Sequence, residues 1–175
     1  DAGAELDCYC ADITRTFPIN GHFSATQKAL YDIVLAAQLA AIDAVKPGAT
    51  FNEPHEAAVR IISTGLKDLK LLKGSVDGLI EKGAYQKFFV HRTSHWLGLD
   101  VHDVGEYRLG DAWRVLEAGM VLTVEPGIYV PAEKSIPKKW QGIGIRIEDD
   151  VLVTQTDHQV LTDDAPKHPE AIEDL

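Results

Sequence analysis

The sequence predicts an α+β domain, because strand patterns flank a helical region instead of alternating with helices. Residues 1–17 and 88–154 contain short runs typical of strands, whereas residues 24–71 carry apolar residues at helical spacing. The 175 residues are 45% hydrophobic and 25% charged, which is enough apolar material for one core. No low-complexity tract suggests disorder.

The N-terminal elements follow from turn and capping signals. Residues 1–17 are interpreted as two strands joined by a turn, and Asn20-Gly21 marks the next turn. Ser24 and Gln27 then form a capping box, and apolar residues continue at helical spacing to Val45. Pro47-Gly48 ends this helix.

A second helix is predicted from near residues 52–54 to about Leu71, and a short one over Val76–Ile80. The charged tail after Asp163 is expected to be a surface segment or a short helix. Strands return in the second half of the chain: Phe88–His91, Val121–Val124, Ile128–Val130, Ile143–Glu148 and Val151–Thr154.

The charge balance restricts the classes of partner. Twenty-seven acidic and seventeen basic residues give a net charge of −10, which disfavours nucleic acid and anionic membranes and favours cations. The longest apolar stretch is too short to cross a membrane. Cys8 and Cys10 are too close together to staple a fold, as expected for a reduced, cytoplasmic protein.

Acidic residues occur in apolar strand patterns, where an unpaired carboxylate would cost several kcal/mol. They could form ion pairs with Arg15 and Arg146, or they could bind metal. The number of such acids, together with nearby histidines, favours metal. The acids are Asp1, Asp12, Glu125 and Glu148.

Three histidines, His91, His95 and His102, lie within a dozen positions. One imidazole and four carboxylates form a hard donor set that suits Mn²⁺, with Fe²⁺, Co²⁺ or Zn²⁺ possible in the same geometry. Two divalent ions, rather than one, would nearly balance four carboxylates and a bridging hydroxide. Cys10 is not expected to be a ligand, because such a site has little use for a thiol.

Five motifs occur in an order and spacing that resemble the pita-bread metallopeptidases, whose fold is creatinase/aminopeptidase-like. Within that family the resemblance is strongest to bacterial Xaa-Pro aminopeptidases (aminopeptidase P), with prolidases next. The motifs are Asp1-Ala-Gly, Asp12-Ile-Thr-Arg-Thr-Phe, Ser94-His-Trp-Leu-Gly-Leu-Asp-Val-His-Asp, Val124-Glu-Pro-Gly and Gly144-Ile-Arg-Ile-Glu148-Asp.

The resemblance implies two metal ions, usually Mn²⁺, and a peptide substrate with an N-terminal Xaa-Pro sequence. The implied ligands are Asp1, Asp12, His95, Glu125 and Glu148, of which Asp12 and Glu148 would bridge the ions. In such enzymes a bridging hydroxide attacks the carbonyl of the residue that precedes proline.

The resemblance also assigns roles beside the metals. Glu125 would carry the proton, and His91 and His102 would hold the substrate and stabilise the tetrahedral intermediate. Arg146 would brace the carboxylates. Trp96 and Tyr107 are further candidates for lining the substrate pocket.

The chain differs from the family pattern in two respects. Arg92 stands where a glycine commonly follows the histidine, which adds bulk and positive charge. The family's catalytic domain also begins upstream of the first ligand aspartate. Residues 1–175 are therefore expected to be the C-terminal portion of an N-terminally truncated catalytic domain, forming a homo-oligomer or associating with the missing N-terminal segment.

The predicted activity is that of a dinuclear-metal aminopeptidase. A prolidase acting on Xaa-Pro dipeptides is the nearest alternative. An inactive fragment or a non-catalytic pita-bread binding module is a further alternative, although all five candidate ligand positions are filled.

Overall fold

A computed structural model describes residues 1–175 and confirms the α+β class. Four α-helices and a short 3-10 helix, Ala84–Lys87, accompany nine short strands. The helices are α1 (Ala25–Asp43), α2 (Glu53–Asp68), α3 (Val76–Glu81) and α4 (Pro169–Glu173). The strands are β1 (Glu5–Leu6), β2 (Tyr9–Cys10), β3 (Arg108–Leu109), β4 (Ala112–Trp113), β5 (Val121–Val124), β6 (Gly127–Tyr129), β7 (Gly144–Arg146), β8 (Asp149–Val153) and β9 (His158–Val160).

All strand pairs are antiparallel. β1 pairs with β2, β3 with β4, and β6 with β7, while β5, β8 and β9 form a three-stranded sheet in that order. An isolated β-bridge, Thr14 with Glu148, joins the N-terminal segment to the two residues between β7 and β8. A second pair, Trp96 with Leu122, joins the histidine-rich segment to β5. These long-range pairs bring the predicted ligands to one region.

The helices cover the sheet and close the core. α1 begins at the predicted capping box: Ser24 accepts from the Gln27 N–H, and the Gln27 side chain accepts from the Ser24 N–H. α1 packs against α2 on one side and the strands on the other. Gly65 permits the close approach of the two helices, because a Cβ there would lie 2.6 Å from Ile33 side-chain atoms.

The predicted strand over Phe88–His91 is wrong. The segment follows the 3-10 helix directly, and Phe88 and Phe89 are both buried, at 1% exposure each. Two consecutive buried side chains do not fit the alternation of a half-buried strand. A single backbone hydrogen bond, from Tyr129 N–H to the Phe88 carbonyl, ties the segment to β6.

The N-terminal strands are shorter than predicted, because Asp7 and Cys8 adopt positive φ in the turn between β1 and β2. A continuous strand over residues 8–12 would place Cys8, Cys10 and Asp12 on one face, but the positive φ of Cys8 breaks that alternation. The β3–β4 hairpin and β9 were not predicted, since strands of two or three residues carry no periodic signal. The helix allowed for in the C-terminal tail is confirmed as α4. None of the helices combines the length and apolar character needed to cross a bilayer.

A fully buried carboxylate, Asp149, lies beside Glu148 and holds the C-terminal segment in place. Its oxygens accept hydrogen bonds from Arg15, Lys167 and Thr162 at 2.7 Å and from Gln38 at 2.6 Å. Burial by itself raises the pKa of Asp149, but the bonds from Lys167 and Arg15 outweigh it and lower the pKa below its ordinary value.

Arg15 uses all its N–H donors to join these segments. Its guanidinium donates to the backbone carbonyls of Thr14 (2.9 Å) and Glu148 (2.6 Å) and to the Asp149 carboxylate. The remaining bonds go to the carbonyls of residues 165 and 166. Arg15 therefore links the segment that follows Asp12 to the backbone of Glu148.

Candidate metal centre

Three predicted ligands converge in a buried cluster. One ligand atom each of Asp12, His95 and Glu148 lie within 4.8 Å of one another. Asp12 follows β2, His95 precedes the residue paired with β5, and Glu148 lies between β7 and β8. Asp12 is 9% exposed and Glu148 1% exposed, so both carboxylates are largely removed from water.

The orientation of His95 suits a metal ligand. Its Nδ1 lies 2.9 Å from the Trp96 carbonyl, which can only accept, so Nδ1 carries the proton. In the neutral ring the lone pair is then on Nε2, which lies 3.5 Å from Asp12 Oδ2 and 3.4 Å from Glu125 Oε1. A histidine ligand commonly has its other nitrogen bonded in this way.

Glu148 and Glu125 are held by threonines on neighbouring strand segments. Thr14 donates to Glu148 Oε2 at 2.5 Å, and its hydroxyl accepts from Arg146 Nε at 3.0 Å. Thr123 accepts from the His95 N–H at 3.1 Å and lies 3.4 Å from Glu125 Oε1. The carboxylates thus have fixed directions before any ion binds.

The carboxylates of the cluster have too few cationic neighbours to ionise readily, as the pKa values of its two glutamates show. Burial raises the pKa of Glu125 to about 8, and the neighbouring Glu148 and Asp12 charges add to the shift. Burial likewise raises the pKa of Glu148 to about 7, against the hydrogen bond from Thr14. Carboxylates that resist ionisation because they lie together in a buried site fit divalent cations, which would supply the missing charge.

Asp1 is not part of this cluster. It is exposed, and its carboxylate forms an ion pair with Arg146. Arg146 Nε also lies 3.9 Å from Glu148 Oε2, so the guanidinium lies between the two acids. The structure therefore brings four of the five predicted ligands together, and a ligand role for Asp1 stays a prediction.

The other predicted histidines lie beside the cluster. The His102 ring is 4.3 Å from the His95 ring and perpendicular to it. His91 Nε2 is hydrogen-bonded to the Tyr129 hydroxyl at 2.8 Å, and Nδ1 to the Arg92 carbonyl at 2.7 Å. Burial lowers the pKa of His91, which favours the neutral ring.

Sequence reasoning missed three residues at this site, Thr14, Thr123 and Tyr129. Thr14 and Thr123 are each two positions from a predicted ligand, Asp12 and Glu125 respectively. Strand alternation places such residues on the same face, so the signal was present. Tyr129 could be noticed in the sequence only as a tyrosine within an apolar strand. Its hydrogen-bond partner, His91, is 38 positions away, so the contact could not be predicted from local sequence.

The two residues nominated for a pocket pack together. Trp96 and Tyr107 are stacked with ring centroids 5.9 Å apart, and Phe51 contacts both rings. Cys10 is outside the donor cluster, and its thiol donates to the Leu99 carbonyl at 3.4 Å.

The sequence is similar to curated Xaa-Pro aminopeptidases. Those of Haemophilus influenzae and Escherichia coli are each 50% identical over 175 residues, which is 100% of this chain and 40% of each relative. The chain thus spans less than half the length of these relatives.

Solved structures show the same likeness. The aminopeptidase PepP of Pseudomonas aeruginosa matches with a TM-score of 0.95 and 58% identity, over 97% of this chain and 39% of that one. A zinc-substituted Escherichia coli aminopeptidase P in complex with product matches with a TM-score of 0.93 and 50% identity, over 97% and 38%. These matches confirm the predicted pita-bread fold. The sequence profile of metallopeptidase family M24 covers residues 1–155. The chain belongs to metallopeptidase family M24.

Proposed function

We propose that this chain provides the dinuclear metal site of an Xaa-Pro aminopeptidase, which releases the N-terminal residue from peptides with proline in second position. The observation that carries the proposal is the buried cluster of Asp12, His95 and Glu148, with Glu125 at 3.4 Å from the same imidazole nitrogen. The 50% identity to proteins named Xaa-Pro aminopeptidase supports it.

The proposed metals are two divalent ions, most simply Mn²⁺, because oxygen ligands and one imidazole form a hard donor set. Asp12, His95, Glu125 and Glu148 would hold them, and Asp1 would complete the set. Such a pair of ions supplies Lewis-acid activation of a carbonyl and an activated water.

The chain's own residues then have separate tasks. Glu125 would carry the proton to the leaving nitrogen, because its carboxylate lies beside the imidazole of His95 within the cluster. His91 and His102 would bind the substrate. Arg146 would hold the carboxylates of Asp1 and Glu148 in place. A cytoplasmic location and a homo-oligomer are also proposed, and they stay predictions.

Metal stoichiometry and peptide cleavage test this proposal together. After incubation with Mn²⁺ and desalting, we expect about two ions per chain, and fewer in His95→Ala. The loaded chain should cleave Ala-Pro-Ala but not the control Ala-Ala-Ala. Cleavage of Ala-Pro alone would identify a prolidase. Two ions without cleavage would identify a binding module, and an absence of bound metal would contradict the proposal.

A further inference from the structure

Arg92 and Arg108 flank a small aromatic cavity next to the candidate metal centre. The guanidinium carbons lie 4.7 Å and 4.0 Å from the centroid of the Trp113 ring. The cavity has a volume of about 390 Å³ and is lined by Phe51, Arg92, Ser94, Tyr107, Arg108 and Trp113.

Neither guanidinium has a carboxylate partner. Arg15, Arg60 and Arg146 each form an ion pair, whereas Arg92, Arg108 and Arg114 have no carboxylate oxygen within 4.0 Å. Of these three, Arg92 and Arg108 line the cavity. Both cations stack on one ring, so they are at most about 9 Å apart, within the screening length at 0.1 M salt, and they repel each other.

Arg92 is held in place while part of its guanidinium stays free. One of its terminal nitrogens donates to Asn52 Oδ1, and the Asn52 amide donates in turn to Glu56 at 2.5 Å. The nearby acid is therefore engaged by Asn52 rather than by the arginine. Burial lowers the pKa of Arg92, and the charge of Arg108 acts in the same direction.

A third donor faces the same cavity. The Ser94 Oγ atom is buried and has no hydrogen-bond partner within the chain. Buried hydroxyls are normally hydrogen-bonded, so an unpaired one in the wall of a cavity is a candidate donor to a ligand there. Ser94 immediately precedes His95, and Arg92 immediately follows His91, so the cavity shares a chain segment with two candidate site residues.

We propose that Arg92, Arg108 and Ser94 form a carboxylate-binding subsite that selects peptides with a negative charge after the scissile bond. The inference rests on the proposed function: a peptide bound by its amino end at the metal cluster would have its carboxyl end free to bind the arginines, in a cavity whose wall includes Ser94, the residue before His95. Guanidinium groups recognise carboxylates through paired N–H donors. The carboxylate would be the C-terminus of a short peptide or an acidic side chain of a longer one.

The test measures peptide binding separately from cleavage. Isothermal titration calorimetry on the chelator-treated chain compares Ala-Pro-Ala with its C-terminal amide, which differ only in the terminal charge. A second pair, Ala-Pro-Glu amide and Ala-Pro-Gln amide, reports on a side-chain carboxylate. We expect the charged member of at least one pair to bind about tenfold more tightly, and the pair that shows the difference identifies the source.

Arginine variants then connect the preference to this cavity. Arg92→Gln and Arg108→Gln should each reduce the preference to near unity. Arg108→Glu should reverse it in favour of Ala-Pro-Lys amide, which a simple loss of packing would not do. Lys139→Gln is the matched control, because Lys139 also stacks on a tryptophan, at 4.8 Å from the Trp140 ring, but does not line the cavity.

The outcomes separate this inference from the proposed function. Equal binding of charged and neutral peptides, no binding, or a preference that survives both glutamine variants would overturn the subsite. A different result is that the Mn²⁺-loaded chain cleaves none of these peptides while the binding preference still depends on the arginines. That result would support the subsite and contradict the proposed aminopeptidase activity.

Discussion

Thr14 and Glu148 are joined by a hydrogen bond of 2.5 Å although they are 134 positions apart in the chain. The same hydroxyl accepts from Arg146 Nε, so one small side chain links a candidate ligand to the guanidinium that pairs with Asp1. Thr14 is 5% exposed, and water cannot easily replace it. It therefore acts through Glu148, as a positioning residue.

Thr14→Val should weaken metal binding while keeping the shape of the core. The valine leaves Glu148 and Arg146 without their shared partner, and loss of such a bond to a ligand typically costs about tenfold in metal affinity. Unfolding free energy should fall by about 1–3 kcal/mol. Competition of a metal-loaded sample with a chelator measures the first effect. Thr154→Val, which removes a hydroxyl bonded in an exposed loop, should leave metal affinity unchanged. If Thr14→Val and Thr154→Val bind the metal with equal affinity, Thr14 does not position Glu148.

The stability of the metal-free chain should fall as pH rises from about 5 to 8. Burial raises the pKa values of Glu125 and Glu148 to about 8 and 7, from 4.5. The folded state therefore holds protons that the unfolded chain has released, and this stabilisation is lost as pH rises through the folded-state values. Because each pH unit by which a group's pKa is raised corresponds to about 1.4 kcal/mol, the two glutamates together set an upper bound of about 8 kcal/mol. Asp150, whose pKa burial raises to about 6, acts in the same direction.

Thermal unfolding at several pH values, with chelator and with Mn²⁺, measures this dependence. Bound metal should reverse it, since the ions require the ionised carboxylates. Glu125→Gln should flatten the metal-free profile, because glutamine does not titrate. A metal-free Tm that rises over this pH range would contradict the assignment.

Asp149→Asn should be among the most destabilising conservative changes in the chain. It leaves the buried ends of Arg15 and Lys167 without their anion, and breaking such a buried pair costs about 3–5 kcal/mol. Denaturant unfolding gives the value. Asp32→Asn is the control, because its ion pair with Lys28 is exposed and should contribute less than about 1 kcal/mol. Similar losses of unfolding free energy in the two variants would show that the buried network around Asp149 contributes no more than an exposed ion pair.

Tyr129→Phe should reduce activity more than stability. Its hydroxyl is bonded to His91 Nε2 at 2.8 Å and helps to orient a ring proposed to hold the substrate. We expect kcat/KM for a cleaved Xaa-Pro peptide to fall about tenfold, with little change in Tm. Tyr85→Phe is the matched control, since Tyr85 also packs against Phe89 but its hydroxyl is not a hydrogen-bond partner of either His91 nitrogen. An unchanged kcat/KM would show that the bond does not position His91.

Local signals in the sequence determined the helices and the types of metal-binding residue. The capping box at Ser24 and the helix stop at Pro47-Gly48 act within a few positions, so they can be identified from the chain alone. Acids in apolar strands indicated charges that need partners. The apolar run that begins at Phe88 was interpreted wrongly as a strand, because a short apolar run by itself cannot distinguish a strand from a buried turn.

The tertiary structure decided which partners these residues take. The Thr14–Glu148 contact and the Asp1–Arg146 pair join segments 134 and 145 positions apart. The proton position on His95 depends on the carbonyl that its ring meets, and the setting of Arg92 depends on Trp113 and Asn52. The sequence thus determined which donors are available. Only packing of distant segments decided which of them lie together at the candidate metal centre and that Arg92 and Arg108 line one cavity, because such contacts depend on loop closure and burial rather than on neighbours in the chain.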